Sequence, residues 1–291
     1  MNIASHVKLD VNPSGGALGA EIRGLDLSSN LDSATRDAIL DAWYKHLVLV
    51  FRNQKLTDQQ LVNFGTCFGD VLNDNRPVDY DRSLDTDMPN LVDVVSNIVV
   101  NGTPIGALGA GEAIWHTDTQ PIPNSALILY ALEVPPSGGN TRFGNMYAAY
   151  ETLPESLKQK VAWRASIHDR IYGLQQGQLL HAGVGTVPDK SQMPGPWYPI
   201  VRTHGVTKRK ALHLQKEGSG YIIGLPEKES DEILSQLWQH MTKSELIWEH
   251  EWRVGDVVVW DNRCTIHSRP AIDPSARRRL HRITVRGEWP H

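Results

Sequence analysis

Apolar and polar residues alternate at period two over Ala17–Leu27 (ALGAEIRGLDL), as in a strand with one face buried, and Leu47–Phe51 (LVLVF) is a short β-prone run. Between them the periodicity shifts to that of a helix over Asp32–His46, with Ile39, Leu40 and Trp43 on one face and Asp32 or Ser33 available as the cap. A second helix is expected over Asp58–Phe68, where Thr57 and Gln60 stand at capping-box spacing. Residues 70–112 are rich in Asn, Asp, Gly and Pro and read as long loops around one apolar piece, Leu91–Val95. Ala126–Val134 and Trp163–His168 carry strand patterns, Leu174–Pro199 reads as a long insertion, and Glu227–Met241 reads as a helix. The C-terminal part is the most β-rich, with strands expected at Leu246–Trp252, Asp256–Trp260 and Arg278–Arg286.

No repeat and no low-complexity linker divides the chain, so residues 1–291 are expected to form one domain. Many short strands with few helices predict a mainly β fold, a sandwich or jelly roll carrying helical insertions. At 291 residues the chain is long enough for a sizeable core. Composition changes this picture little. The 29 basic and 33 acidic side chains leave a formal charge of −4, without the basic field that nucleic acid or a membrane surface would require. Two cysteines, Cys67 and Cys264, exclude a disulfide framework and fit a reducing compartment. With no signal-like N-terminus and no apolar stretch of about 18 residues, a soluble cytoplasmic protein with a small-molecule partner is expected. The nine tryptophans could serve a core, a pocket or a homo-oligomer interface, and core is the commonest use of such residues.

Candidate chemistry begins at His116-Thr117-Asp118, in IWHTDTQ. Twelve histidines and 33 carboxylates over 291 positions produce roughly one His-x-Asp/Glu by chance, so the motif alone is weak. On a strand, His116 and Asp118 would point to one face and offer a nitrogen and an oxygen to one ion. About 150 residues later, GDVVVWDNRCTIHSRP runs from a buried strand through a turn to His267. Two histidines and a carboxylate on one octahedral face suit non-haem Fe(II), because three coordination positions stay open. Eleven residues beyond His267 lies Arg278, in RRRLHRITVRG. If that run is a strand, Arg278, Leu280 and Arg282 share one face, and Arg277, Arg279 and His281 share the other. An inward guanidinium demands an anion, and an Arg fork matches a carboxylate bidentately. A basic edge strand is the competing explanation.

LGAEIRGLDLS, LVLVFRNQKLTDQQLVNFGTCFG, WHTD, PPSGGNTRFGNMYAAYETLP and WDNRCTIH with its arginine strand together resemble the taurine dioxygenase/2,4-dichlorophenoxyacetate dioxygenase (TauD/TfdA) family over nearly the whole chain. The resemblance implies a distorted double-stranded β-helix. It also implies Fe(II) held by His116, Asp118 and His267, with 2-oxoglutarate and O2 as cosubstrates and Thr141 and Arg278 as 2-oxoglutarate contacts. Arg282 matches the position that holds an anionic substrate group. The implied activity is oxidation, in the first place hydroxylation, of a substrate C–H bond with release of succinate and CO2, and a carboxylate at Asp118 disfavours halogenation. Glu112 and Asp74 match positions near the substrate in the taurine enzyme, and two acids there would repel a sulfonate. A small carboxylate on Arg282, zwitterionic if its amino group faces Glu112, is therefore the expected substrate. Two other readings of the same residues stay open: a Zn-dependent hydrolase with an activated water, and a non-catalytic jelly-roll module that binds a small anion.

Overall fold

The computed structural model describes residues 7–74, 78–118, 122–167, 180–181, 185–186 and 195–290. Helix α1 spans Ser33–His46, capped by Asp32, whose side chain accepts from the Thr35 N–H. It ends at Leu47, which adopts a left-handed backbone (φ 65°) and returns its N–H to the Trp43 carbonyl. That turn feeds directly into a fully buried strand, so the chain reverses within one residue. Helix α2, Asp58–Gly65, carries the expected Thr57/Gln60 capping box in full. It lies so close to the sheet that a Cβ on Gly65 would meet Ile283 Cγ2 at 2.8 Å.

Twelve strands build two sheets. They are β1 Asp10–Pro13, β2 Ala20–Arg23, β3 Val48–Phe51, β4 Asp93–Ser96, β5 Ala107–Leu108 and β6 Ala113–His116. They continue with β7 Ala126–Glu133, β8 Thr141–Asn145, β9 Ile247–His250, β10 Val257–Asp261, β11 Thr265–Arg269 and β12 Arg279–Val285. The major sheet runs β1-β2-β3-β10-β7-β12-β4-β5, and the minor sheet β9-β8-β11-β6. All neighbours are antiparallel except β2/β3 and β4/β5. The inner face of the major sheet, with Val50, Leu129, Val258, Trp260 and Leu280, shares one core with Phe143 and Ile266 of the minor sheet. Its outer face, with Leu49, Phe51, Ile128, Val259 and Ile283, is covered by α1 and α2 through Ile39, Trp43, Leu61 and Phe64. This is the jelly roll expected from the strand pattern, and the alternation of core membership along β10 and β12 is its signature.

Several expectations change at their edges. The apolar piece in the 70–112 stretch is a strand: β4 is buried at every position and pairs with β12. β12 is therefore interior, between β7 and β4, which removes the edge-strand explanation of its arginines. The alternation over Ala17–Leu27 yields only the four-residue β2, because Gly19 and Gly24 take positive φ and bend the chain at both ends. The stretch expected to be an insertion ends in a strand, Trp197–Pro199, paired with Ala165–Ile167, while most of Leu174–Pro199 lies outside the described residues. Both cysteines are free thiols. Among the described residues no helix is long and apolar enough to cross a membrane.

The outer face of β12 carries its own electrostatics. His281 is buried, with Nδ1 2.7 Å from Asp58 Oδ1 and Nε2 2.9 Å from Asp85 Oδ2, so it ties α2 to the sheet. Burial opposes its charge, but the hydrogen bonds to Asp58 and Asp85 prevail and raise it from 6.5 to about 9. The stabilisation is complete below pH 6.5 and is lost as pH rises through 9; a shift of that size is worth about 3 kcal/mol. Urea denaturation across pH 6–10 should show this decline in the wild type, and His281→Asn should be less stable at pH 6 with the decline largely removed.

Candidate metal centre

Antiparallel pairing of β11 with β6 sets His267 directly opposite His116. The two rings lie 4.1 Å apart between centroids, and His267 Nε2 is 3.2 Å from Asp118 Oδ2. One ligand atom from each of His116, Asp118 and His267 falls within 4.8 Å of the others, so side chains from positions far apart in sequence converge on one point. On its other side β11 pairs with β8, where Phe143 stands opposite His267 and stacks on it at 6.2 Å; Trp260 lies 4.9 Å away. The His267 imidazole thus rests on an aromatic bed from both sheets.

The donor set fits a divalent cation. His116 Nδ1 lies 2.7 Å from the Ile114 carbonyl, which commits that nitrogen as the donor and leaves Nε2 with the lone pair. Burial, followed by the neighbouring His267, pushes His116 down to about 4, so its ring is neutral at physiological pH. Burial raises Asp118, but the hydrogen bond from His267, with Arg282 nearby, outweighs it and holds the carboxyl well below the usual range. Asp118 is not on β6 itself. It follows the strand, and Asn262 holds it there: the Asp118 N–H donates to Asn262 Oδ1 at 3.1 Å and Asn262 Nδ2 donates to the Asp118 carbonyl at 2.8 Å.

Arg278 precedes β12 and is 3% exposed. Among the described residues no carboxylate pairs with it, its Nε has no hydrogen-bond partner, and burial with Arg269 nearby pushes it down to about 9. Gly139, whose φ of 71° favours glycine, sets the 138–141 loop beside Arg278: a Cβ there would lie in ordinary contact, 3.5 Å from Arg278 Nε. Two residues on, Thr141 is buried and accepts a hydrogen bond at 2.9 Å from Trp252 Nε1, which frees its own hydroxyl hydrogen to donate elsewhere.

The family model for taurine catabolism dioxygenase TauD, TfdA family, matches residues 10–284. The chain belongs to the TauD/TfdA family. It is 34% identical over 289 residues to the alpha-ketoglutarate-dependent 2,4-dichlorophenoxyacetate dioxygenase of Cupriavidus pinatubonensis, covering 94% of this chain and 96% of that protein. It is 31% identical over 306 residues to the alpha-ketoglutarate-dependent sulfate ester dioxygenase of Pseudomonas putida, covering 98% and 91%. The crystal structure of AAD-2 in complex with Mn(II) and N-oxalylglycine matches with a TM-score of 0.78 at 28% identity, covering 97% of this chain and 99% of that one.

Within this TauD/TfdA chain the remaining expected residues are spread more widely. Arg282 lies on the inner face of β12, with Nη1 3.9 Å from Asp118 Oδ1, but its Nη2 is committed to Asp93 of β4. Asp93 is saturated: Tyr80 Oη and the Val94 N–H donate to its Oδ1, and Arg82 stands 3.7 Å away. Asp74 reaches this cluster through its backbone, where its carbonyl accepts from Arg82 Nη2 at 3.0 Å. Glu112 is exposed and near Glu217, whose carboxyl is raised by burial and then by Glu112; among the described residues no ion pair joins Glu112 to Arg282. The sequence reading missed Asp93, Arg82, Tyr80, Trp252 and Asn262. Only Asn262, inside the turn before His267, carried a signal that could have singled it out. Arg282→Met should cost about 3 kcal/mol in urea denaturation by leaving Asp93 Oδ2 without its partner, and adding Asp93→Leu should recover part of that loss.

Proposed function

We propose that the chain is an Fe(II)- and 2-oxoglutarate-dependent dioxygenase, with residues 1–291 forming one catalytic domain. It oxidises, in the first place hydroxylates, a C–H bond of a small anionic substrate. The observation that carries this reading is the buried guanidinium of Arg278, which among the described residues has no acid to pair with and lies beside the 138–141 loop. A buried cation without a counterion is costly, so the fold leaves it for an anion that arrives from outside.

His116, Asp118 and His267 would hold the metal. Bound there, iron supplies the O2 chemistry, in which 2-oxoglutarate, O2 and R–H become succinate, CO2 and R–OH. Arg278 would receive the far carboxylate of 2-oxoglutarate, and the Thr141 hydroxyl, oriented by Trp252, would donate to the same group. Phe143, Trp260 and the imidazole stack keep water from the inner side of the centre. Arg282, braced by Asp93, turns its remaining terminal nitrogen toward Asp118 and the substrate's anionic group. Glu112 and Asp74 add negative charge on the approach, which favours a carboxylate substrate with a cationic amine over a sulfonate such as taurine. A Zn-dependent hydrolase would use the same three ligands but leaves Arg278 and Thr141 without work, and an anion-binding module without a metal leaves the neutral His116 facing a depressed Asp118 for no purpose.

Purified protein with Fe(II), ascorbate and 2-oxoglutarate should consume O2 and form succinate, with Zn(II) unable to substitute. Arg278→Leu should raise the 2-oxoglutarate KM about 100-fold, the worth of about 3 kcal/mol of charge-assisted hydrogen bonding. Its ligand-free Tm should be unchanged or higher, because a desolvated cation is removed. In a panel of aryloxyacids, sulfate esters, amino acids and sulfonates, carboxylates should give the largest stimulation of succinate formation. Efficient taurine turnover would refute the assignment of Glu112 and Asp74.

A further inference from the structure

A second trio with metal-like spacing, His204, Asp261 and Cys264, is fully buried beneath the turn that connects β10 to β11. Its lone pairs are already taken. His204 Nδ1 accepts from the Val206 and Thr207 N–H groups, both at 3.1 Å, and its Nε2 donates to Asp261 Oδ2 at 3.0 Å. Arg263 chelates both oxygens of Asp261 through Nε and Nη2 at 2.8 Å, and its N–H donates to Oδ1. Burial raises Asp261, but the Arg263 guanidinium and the His204 N–H hold it down at about 2. Burial pushes the Cys264 thiol well above its usual value, so it is no thiolate ligand. The Thr265 hydroxyl closes the turn on the Asp261 carbonyl at 2.8 Å. The trio is a rigid support, and what it supports is Asn262.

Asn262 is 0% exposed and has every polar group of its side chain engaged. Its amide forms a two-way clamp on the backbone of Asp118, 144 residues away, while Nδ2 also donates to the Asn124 carbonyl at 3.0 Å. Its own N–H donates to the Ser125 carbonyl at 3.0 Å. Five residues further along the same turn and strand stands His267. On the other side, Thr117 is pinned through its N–H to Gln215 and its hydroxyl to Leu214, so the segment that bears Asp118 has no freedom at either residue. We infer that Asn262 is a positioning residue for the metal centre, fixing the Asp118 carboxylate at the distance from His267 that a cation requires. This rests on the metal centre proposed above. One turn thereby sets two of the three ligands: it carries His267 covalently and Asp118 through a side-chain amide that copies backbone pairing. Outer contacts of this kind are generally worth 10- to 100-fold in metal affinity.

The test is Co(II) titration of the metal-free protein, followed by visible absorption and by the Co(II)-induced rise in Tm. Asn262→Asp keeps the shape but loses the donor to the Asp118 and Asn124 carbonyls. Its added negative charge would by Coulomb attraction strengthen cation binding, so a 10- to 100-fold loss of affinity reports misplacement of Asp118. Thr265→Val removes a hydrogen bond of the same turn without touching Asp118, and is expected to lower Tm while binding Co(II) as the wild type does. Asn262→Ser, too short to reach both groups, should repeat the loss seen with Asn262→Asp. Wild-type affinity in Asn262→Asp, or equal losses in Asn262→Asp and Thr265→Val, would overturn the clamp. So would failure of both Asn262 variants to fold, since the residue would then serve folding alone. A wild-type protein that binds no Co(II) would overturn the metal centre itself, and the clamp with it.

Discussion

The cross-strand pairing of His267 with His116 is the constraint on which the rest of the site depends. In an antiparallel pair a slip of one residue sends every side chain to the opposite face. Here such a slip would turn both imidazoles away from Asp118. The register is held from both flanks. Phe143 pairs with His267 from β8, and the β6/β11 register shifts immediately beyond the histidines, between His267 and Arg269. Beyond that irregularity the pairing resumes with Arg269 opposite Ala113, and the Arg269 side chain donates to the Gly109 and Gly111 carbonyls.

Charge along 277–282 follows a second rule, that its cations meet acids, the more strictly the deeper they lie. Arg277 and Arg279 meet Glu133, Arg279 and His281 meet Asp85, and Arg282 meets Asp93. Each acid comes from a different part of the chain, so the strand is stitched to β7, to the 82–86 turn and to β4. Against that background Arg278 stands out as the member of the run with no such partner among the described residues. The same physics that stabilises its neighbours is the ground for proposing Arg278 as the receptor of an incoming carboxylate.

The two sheets divide the work. The minor sheet carries the imidazoles and Thr141, while the major sheet carries Arg282 and the Asp93 brace. The turn at 261–264 belongs to both, since it leaves β10 of one and enters β11 of the other. A network of buried hydrogen bonds around Asp261 holds that turn more rigidly than an apolar one would be held, because every donor has a fixed direction.

Features that depend on near neighbours were legible in the residues themselves. The Thr57/Gln60 capping box, the α1 face of Ile39 and Trp43, the buried run Val257–Trp260 and the inward parity of Leu280 and Arg282 all follow from periods of 3.6 and 2. The trio His116, Asp118 and His267 and the importance of Arg278 were legible as residue types at a spacing, and as a resemblance. That Asp118 sits beyond its strand on an asparagine clamp, that β4 supplies Asp93 to a strand 189 residues away, and that β12 lies inside the sheet were decided by tertiary structure. The reason is that local pattern specifies which face a side chain occupies, whereas its partner depends on which strands lie side by side. That choice is made by burial of whole faces, and it leaves no periodic mark on the chain.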